Sequence, residues 1–259
     1  MRLLGRKKES LVFALTVFVL LVLSPSAPVF ADFQIKIGEC ADCDGSTVSD
    51  NTVHTWPSPD ANLGSWEYAQ MQAGIGYKGK YIVRFPLTDP NLVGATITSV
   101  TFGCNVAAIK STGLSNIRVH AIADADNGWN ENLCTWNQYD PTLSPPDDAW
   151  AGSPGLSTSG IDYNPTILGQ FNGATTGTKT VLLNSSGTDY VQSRIGSYVE
   201  FLMWDFGSYS DDWTRIYSSD SPTPAYRPYL LITYTYTPDR SIKIGECADC
   251  DGSTVSDNT

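Results

Sequence analysis

The residues best suited to chemistry in this sequence are acidic groups set close around glycine. Asp42, Asp44 and Gly45, followed by Asp50, form one such stretch. Asp124, Asp126, Asn127 and Gly128, followed by Glu131, form a second. A hard cation such as calcium needs several oxygen ligands gathered on a turn, and both stretches supply them, although neither has EF-hand spacing. The alternative is Asx-turn chemistry, in which Asp and Asn accept hydrogen bonds from their own backbone. Aromatic residues form the second resource, with seven Trp and thirteen Tyr. Sugar rings stack their apolar C–H faces on Trp or Tyr while polar neighbours orient the hydroxyls. Trp56, Trp66, Tyr68, Trp150, Tyr209 and Trp213 fall in or near loop-like stretches and are the stacking candidates, with packing as the competing role. Trp129 and Trp136 read as core or loop anchors. Arg84, between Val83 and Phe85, could offer a bidentate guanidinium to an acidic sugar or pair with a neighbouring acid; the ion pair is the expectation.

Catalytic constellations are missing from the sequence. It contains no HExxH, GxSxG or P-loop, and its only histidines are His54 and His120. Asp147-Asp148 and Asp211-Asp212 lie in polar stretches and read as solvated charge. The expectation is a non-catalytic chain. Cys40 and Cys43 have the spacing of half a metal knuckle, but a structural zinc site needs four ligands, so a disulfide is the preferred reading.

The N-terminus reads as an export signal. Arg2, Arg6, Lys7 and Lys8 precede an apolar run from Leu11 to Leu23, and Val29-Phe30-Ala31 presents small residues at a cleavage site. The run is short for a membrane span, which makes cleavage after Ala31 the expectation and an uncleaved anchor the alternative. Beyond Ala31 the chain has 12 basic and 26 acidic residues, a net charge of −14. Such a chain repels nucleic acid and anionic membranes and suits a secreted or cell-surface setting. All six cysteines lie in this exported part, where disulfides persist.

Ile35–Thr52 reads IKIGECADCDGSTVSDNT, and Ile242–Thr259 repeats it letter for letter at an offset of 207 residues. That period is a whole domain rather than a solenoid repeat. The reading is residues 1–31 as signal, 32–238 as one module, and 239–259 as a linker with the start of a second identical repeat. Further copies of the module are thus expected partners. The alternative is a C-terminal tail that completes a neighbouring subunit by strand donation.

Strand signals surround these residues. Lys80–Phe85 alternates. In Thr96–Ala107, Val100, Phe102, Cys104 and Val106 share one face. Ile117–Ala121 alternates as well, and Val199–Trp204 is apolar on both faces, as a central strand requires. Tyr229–Tyr236 closes the unit, and only Thr188–Ile195 suits a short helix. The Pro-rich connector Asp140–Gly177 is long enough to be functional or disordered. The fold class expected is an all-β, antiparallel β-sandwich, jelly-roll-like.

Four stretches resemble the DNRLRE-domain family, a β-sandwich related to family 96 carbohydrate-binding modules and to disaggregatase-related surface repeats. They are Ser58–Gly64; Tyr81–Leu87 with Val93–Val100; Gly128–Glu131 with Thr135–Asn137; and Ile216–Asp220 with Arg227–Tyr234. Pro86 and the four cysteines of the module depart from the family pattern. The resemblance implies a carbohydrate-binding or structural and adhesive module that meets polysaccharide or another cell-envelope component. The alternative it implies is an accessory domain of a secreted polysaccharide-degrading enzyme whose catalytic domain lies outside this chain. Set against the family pattern, Cys104 on its inward face and Cys134 between two tryptophans invite pairing. That bridge would close a loop of about 30 residues, worth about 3–4 kcal/mol. Cys104 as a small buried apolar residue, with Cys134 free, is the other reading.

Overall fold

Alternation along the strands builds two layers around one core. The computed structural model describes residues 32–74, 76–205 and 211–236. The leader, the Pro238–Arg240 connector, the second repeat block and Tyr209 fall outside them. The strands are β1 (Phe33–Gly38), β2 (Ser49–His54), β3 (Tyr68–Ala73), β4 (Gly79–Pro86), β5 (Thr96–Lys110), β6 (Ile117–Ala121), β7 (Gly169–Phe171), β8 (Gly177–Leu182), β9 (Tyr198–Asp205), β10 (Asp212–Tyr217) and β11 (Tyr229–Thr235). Among the described residues there is a single α-helix, α1 (Ser185–Ser193), before β9; it starts earlier than the sequence suggests because the Asn184 side chain caps it at the Gly187 N–H, 3.0 Å away.

Every strand pair is antiparallel, in the order β1-β11-β5-β10-β3-β4-β9-β6-β7, with β2 on β4 and β8 on β5. Strands β10 and β11 run in succession along β5, against Val106–Lys110 and Thr96–Gly103. Strand β8 pairs with Thr101–Val106, residues that overlap those facing β11, so it takes the opposite edge. The sheet creases between β3 and β4, which share only the Gln72–Gly79 pairing. Gly79 is required there: a Cβ would lie 2.2 Å from His54 Cδ2 and 2.7 Å from the Gln70 carbonyl oxygen. The fold is thus all-β and sandwich-like.

The core between the layers takes Tyr81, Val83 and Phe85 of β4, Val199, Phe201 and Met203 of β9, and the Val100–Val106 face of β5. Phe85 and Phe102 meet edge to face across the layers at 6.3 Å. Each such large side chain contributes about 1.5–3 kcal/mol by leaving water. The opposite faces of β4 and β9 present Lys80, Ile82, Leu202 and Trp204. Instead of facing solvent they are covered by the long connector together with the segment just before it: Trp129 and Trp136 from that segment and Trp150, Leu156 and Tyr163 from the connector pack onto them as a second apolar cluster. Lys80 clamps this cover: its Nζ donates to the Leu156 carbonyl at 2.9 Å and Ser157 Oγ at 3.0 Å and sits 3.6 Å above the Trp204 ring. Asp162 fixes it from within, accepting the backbone N–H groups of Gly152, Ser153 and Thr158.

Cys40 and Cys43 are joined as a disulfide in the turn after β1. The expected Cys104–Cys134 bridge is absent, and both are free, buried thiols. They lie on opposite sides of the β2–β4–β9 layer. Cys104 projects into the core between the layers, while Cys134 packs under the cover and accepts a hydrogen bond from Asn51 Nδ2 at 3.1 Å. Strand alternation places Cys104 inward as expected, but an entire β-layer separates it from Cys134.

Candidate functional site

Strand β10 turns Thr214 and Ile216 inward, which leaves Trp213, Arg215 and Tyr217 on the outer face. On its neighbour β3, Ala69 and Met71 face the core; Tyr68, Gln70 and Gln72 lie on the opposite side, where Tyr68 is half-buried and both glutamines are buried. The register sets Trp213 opposite Gln72, Arg215 opposite Gln70 and Tyr217 opposite Tyr68. One sheet face therefore carries aromatic rings interleaved with hydrogen-bonding groups. Tyr217 packs between Tyr68 and Tyr226, with ring centroids 5.1 and 4.7 Å away. The Arg215 guanidinium lies 4.7 Å from the Trp213 ring centroid.

The polar groups beneath are locked in one pattern. Arg215 Nε donates to Gln70 Oε1 at 2.7 Å, and Gln70 Nε2 donates to Gln72 Oε1 at 3.0 Å. His54 Nδ1 accepts the Trp56 backbone N–H at 2.7 Å, so the ring proton resides on Nε2 and is donated to Gln72 Oε1 at 3.1 Å. Burial lowers the His54 pKa, which favours the neutral ring. Beyond His54, Trp56 and Trp66 meet edge to face at 6.4 Å and stand 42% and 37% exposed. Ser218 Oγ donates to the Trp66 carbonyl at 2.5 Å, tying this aromatic corner to the end of β10.

A second constellation lies where β2, the cover and the turn after β10 meet. Carboxylate oxygens of Asp50, Glu131 and Asp220 lie within 4.8 Å of one another. Asp50 Oδ2 accepts the Tyr81 hydroxyl and the Ser219 N–H, each at 2.8 Å, while Glu131 Oε1 accepts the Asp50 N–H at 2.9 Å. Burial, reinforced by Glu131 and Asp220, pushes the Asp50 pKa up to about 8 against the pull of those two hydrogen bonds. Burial likewise raises Glu131 to about 7. Three carboxylates so placed hold protons or a hard cation.

The two acidic stretches thus do not each form a ligand loop. They contribute one member apiece, Asp50 and Glu131, and Asp220 is the third. The others are engaged elsewhere. Asp42 pairs with Lys36 at 2.6 Å. Asp44 accepts the Gly38 and Ser46 N–H groups at 3.1 and 2.9 Å, the Asx-turn arrangement. Asp124 pairs with Arg194. Asp126 accepts the Ala151 N–H at 2.7 Å and faces Asp162; burial, with Asp162 adding to it, pushes its pKa up to about 7. Cys40 and Cys43 offer no thiolate because they are bonded to each other.

Trp150 is 4% exposed, and its indole N–H donates to the Thr135 carbonyl at 3.0 Å, so it belongs to the packing of the cover and presents no ring to a ligand. Arg84 pairs with Glu200 at 2.5 Å, donates to the Trp129 carbonyl at 2.6 Å and borders a cleft of about 230 Å³ shared with Ser49, Asn130 and Glu131. The outer face also includes Arg215, Tyr217 and Tyr226, with His54, Gln70 and Gln72 buried beneath it, none of them singled out from sequence. The alternation of Tyr68, Gln70 and Gln72 with Ala69, Met71 and Ala73 was the available signal. No family model matches the chain, and no curated protein sequence is similar to it.

Proposed function

We propose that this chain is a non-catalytic module of a secreted or cell-surface protein and that it binds polysaccharide on the outer face of β3 and β10. The observation that carries this reading is the register that places Tyr68, Trp213 and Tyr217 beside the Arg215–Gln70–Gln72–His54 network. The rings supply stacking faces for sugar C–H surfaces, and the buried Gln70–Gln72–His54 network fixes Arg215, the half-buried polar group among them, before a ligand arrives. The resemblance of four sequence stretches to carbohydrate-binding β-sandwiches supports the same reading. Calcium fits as the cofactor at Asp50, Glu131 and Asp220, where it would tie β2 to the cover and to the turn after β10 and replace protons that burial otherwise keeps on the carboxyls. Affinity electrophoresis of the exported chain against neutral and acidic polysaccharides tests the function. Retardation by at least one polysaccharide is expected. Unretarded migration across a broad panel would leave a structural role as the better account.

A further inference from the structure

The position held by β1 and β2 has a second claimant within the same chain. Among the described residues, strand β1 pairs only with β11, and β2 only with β4, so the segment from β1 to β2 lies at the margin of both layers. Its anchoring residues are specific. Ile37 is fully buried in the core. Lys36 holds Asp42 and lies 3.9 Å from the Tyr229 ring centroid. Glu39 pairs with Arg227 at 3.1 Å, and Asp50 accepts from Tyr81 and Ser219. Each of these residues recurs in the second block, as Ile244, Lys243, Asp249, Glu246 and Asp257. The second block therefore carries the same anchoring residues at the same spacing.

The chain connection permits this. In β1, Ile35 is paired with Ile232 and Phe33 with Tyr234, so the start of β1 lies beside the end of β11. Setting Ile242 opposite Ile232 brings Ser241 opposite Thr233 and Arg240 opposite Tyr234. Thr235–Asp239 then remain as the connection. Five residues is an ordinary length for a β-hairpin loop. We propose that the β11 and β4 edges form a docking site for Ile242–Thr259 of the same chain, which can replace Ile35–Thr52 by closing a hairpin after β11. The first block ordinarily holds the site because it runs directly through Val53 and His54 into β3. The first hairpin of the unit is thus exchangeable between two copies of one sequence.

A mutational cycle in the full exported chain tests this by thermal unfolding, using Ile37→Asp, Ile244→Asp and the double variant. A buried charge with no alternative segment lowers Tm by about 10–20 °C. Exchange predicts little change for Ile244→Asp, a fall of only about 5 °C or less for Ile37→Asp, and the full loss only in the double variant. An Ile37→Asp loss equal to that of the double variant overturns the proposal. So does rescue confined to dimers or larger species in size-exclusion chromatography, because that would place the second block on another chain. The Ile37→Ala and Ile244→Ala cycle repeats the comparison at smaller amplitude and decides the matter where the aspartate variants yield no folded protein.

Discussion

Replacing Asp50 by Asn should stabilise the metal-free protein at neutral pH, by a margin that grows with pH. Asn Oδ1 can take the place of Asp50 Oδ2 as acceptor from Tyr81 and Ser219, while the amide cannot ionise. In the wild type the Asp50 pKa moves from 3.8 to about 8 on folding. A raised folded-state pKa gives stability that is fully present below the unfolded value and lost as pH rises through the folded one. Between pH 5 and 7 the unfolded carboxyl is ionised and the folded one still protonated. The wild type should therefore lose about 1.4 kcal/mol per pH unit relative to Asp50→Asn, about 3 kcal/mol over that window. Lys80 works in the opposite sense. Burial lowers its pKa from 10.5 to about 6, with Asp162 opposing, so its penalty is relieved as pH rises from about 6 toward 10.5. Lys80 is common to both proteins, and the difference between them removes it. Urea unfolding of both at pH 5, 6 and 7 in EDTA measures that difference directly. A difference that stays flat across the window would refute the burial of an uncompensated carboxyl at this site. Added calcium should shrink or reverse the margin at pH 7, since the ion supplies the positive charge that Asn cannot use.

Asp162→Ala strips the acceptor from three backbone N–H groups of the cover and should cost about 2–4 kcal/mol, with faster amide exchange at Gly152, Ser153 and Thr158. Unchanged exchange there would contradict the clamp. Cys104 and Cys134 are buried, and burial pushes both thiols up to about 12. Both should resist alkylation in the folded protein and react on unfolding, with Cys40–Cys43 the only linked peptide from the exported chain outside the second block. Rapid native labelling of either thiol, or a Cys104–Cys134 peptide, would contradict the two-sided placement.

Strand identity was legible in this sequence wherever alternation was strict. Val100, Phe102, Cys104 and Val106 point inward as their spacing implies, and Val199–Trp204 lies centrally, with β4 and β6 on either side and apolar residues on both faces. What the sequence hid was contact between distant segments. Asp50 and Glu131 are 81 positions apart and Asp220 lies 170 beyond Asp50, so clustering acidic residues by local spacing grouped them with the wrong neighbours. The connector Asp140–Gly177, whose length suggested a functional or disordered loop, is part of an ordered cover because Trp150, Leu156 and Tyr163 bury against β4 and β9 beside Trp129 and Trp136. That same burial removes Trp150 from the stacking candidates. On β10, by contrast, Trp213 stays on the outer face because Thr214 and Ile216 fill the core beside it.

The central claim is that the β3–β10 face holds the ligand. It is tested most directly by comparing the exported chain with its Trp213→Ala/Tyr217→Ala variant on whichever polysaccharide retards the wild type. Both rings lie outside the core, though Tyr217 packs on Tyr68 and Tyr226, so the variant should still fold, with Tm lowered by about 5 °C or less. Loss of two stacking rings should weaken binding about tenfold or more. Equal retardation of the two proteins, with folding intact, would contradict the assignment of the binding face.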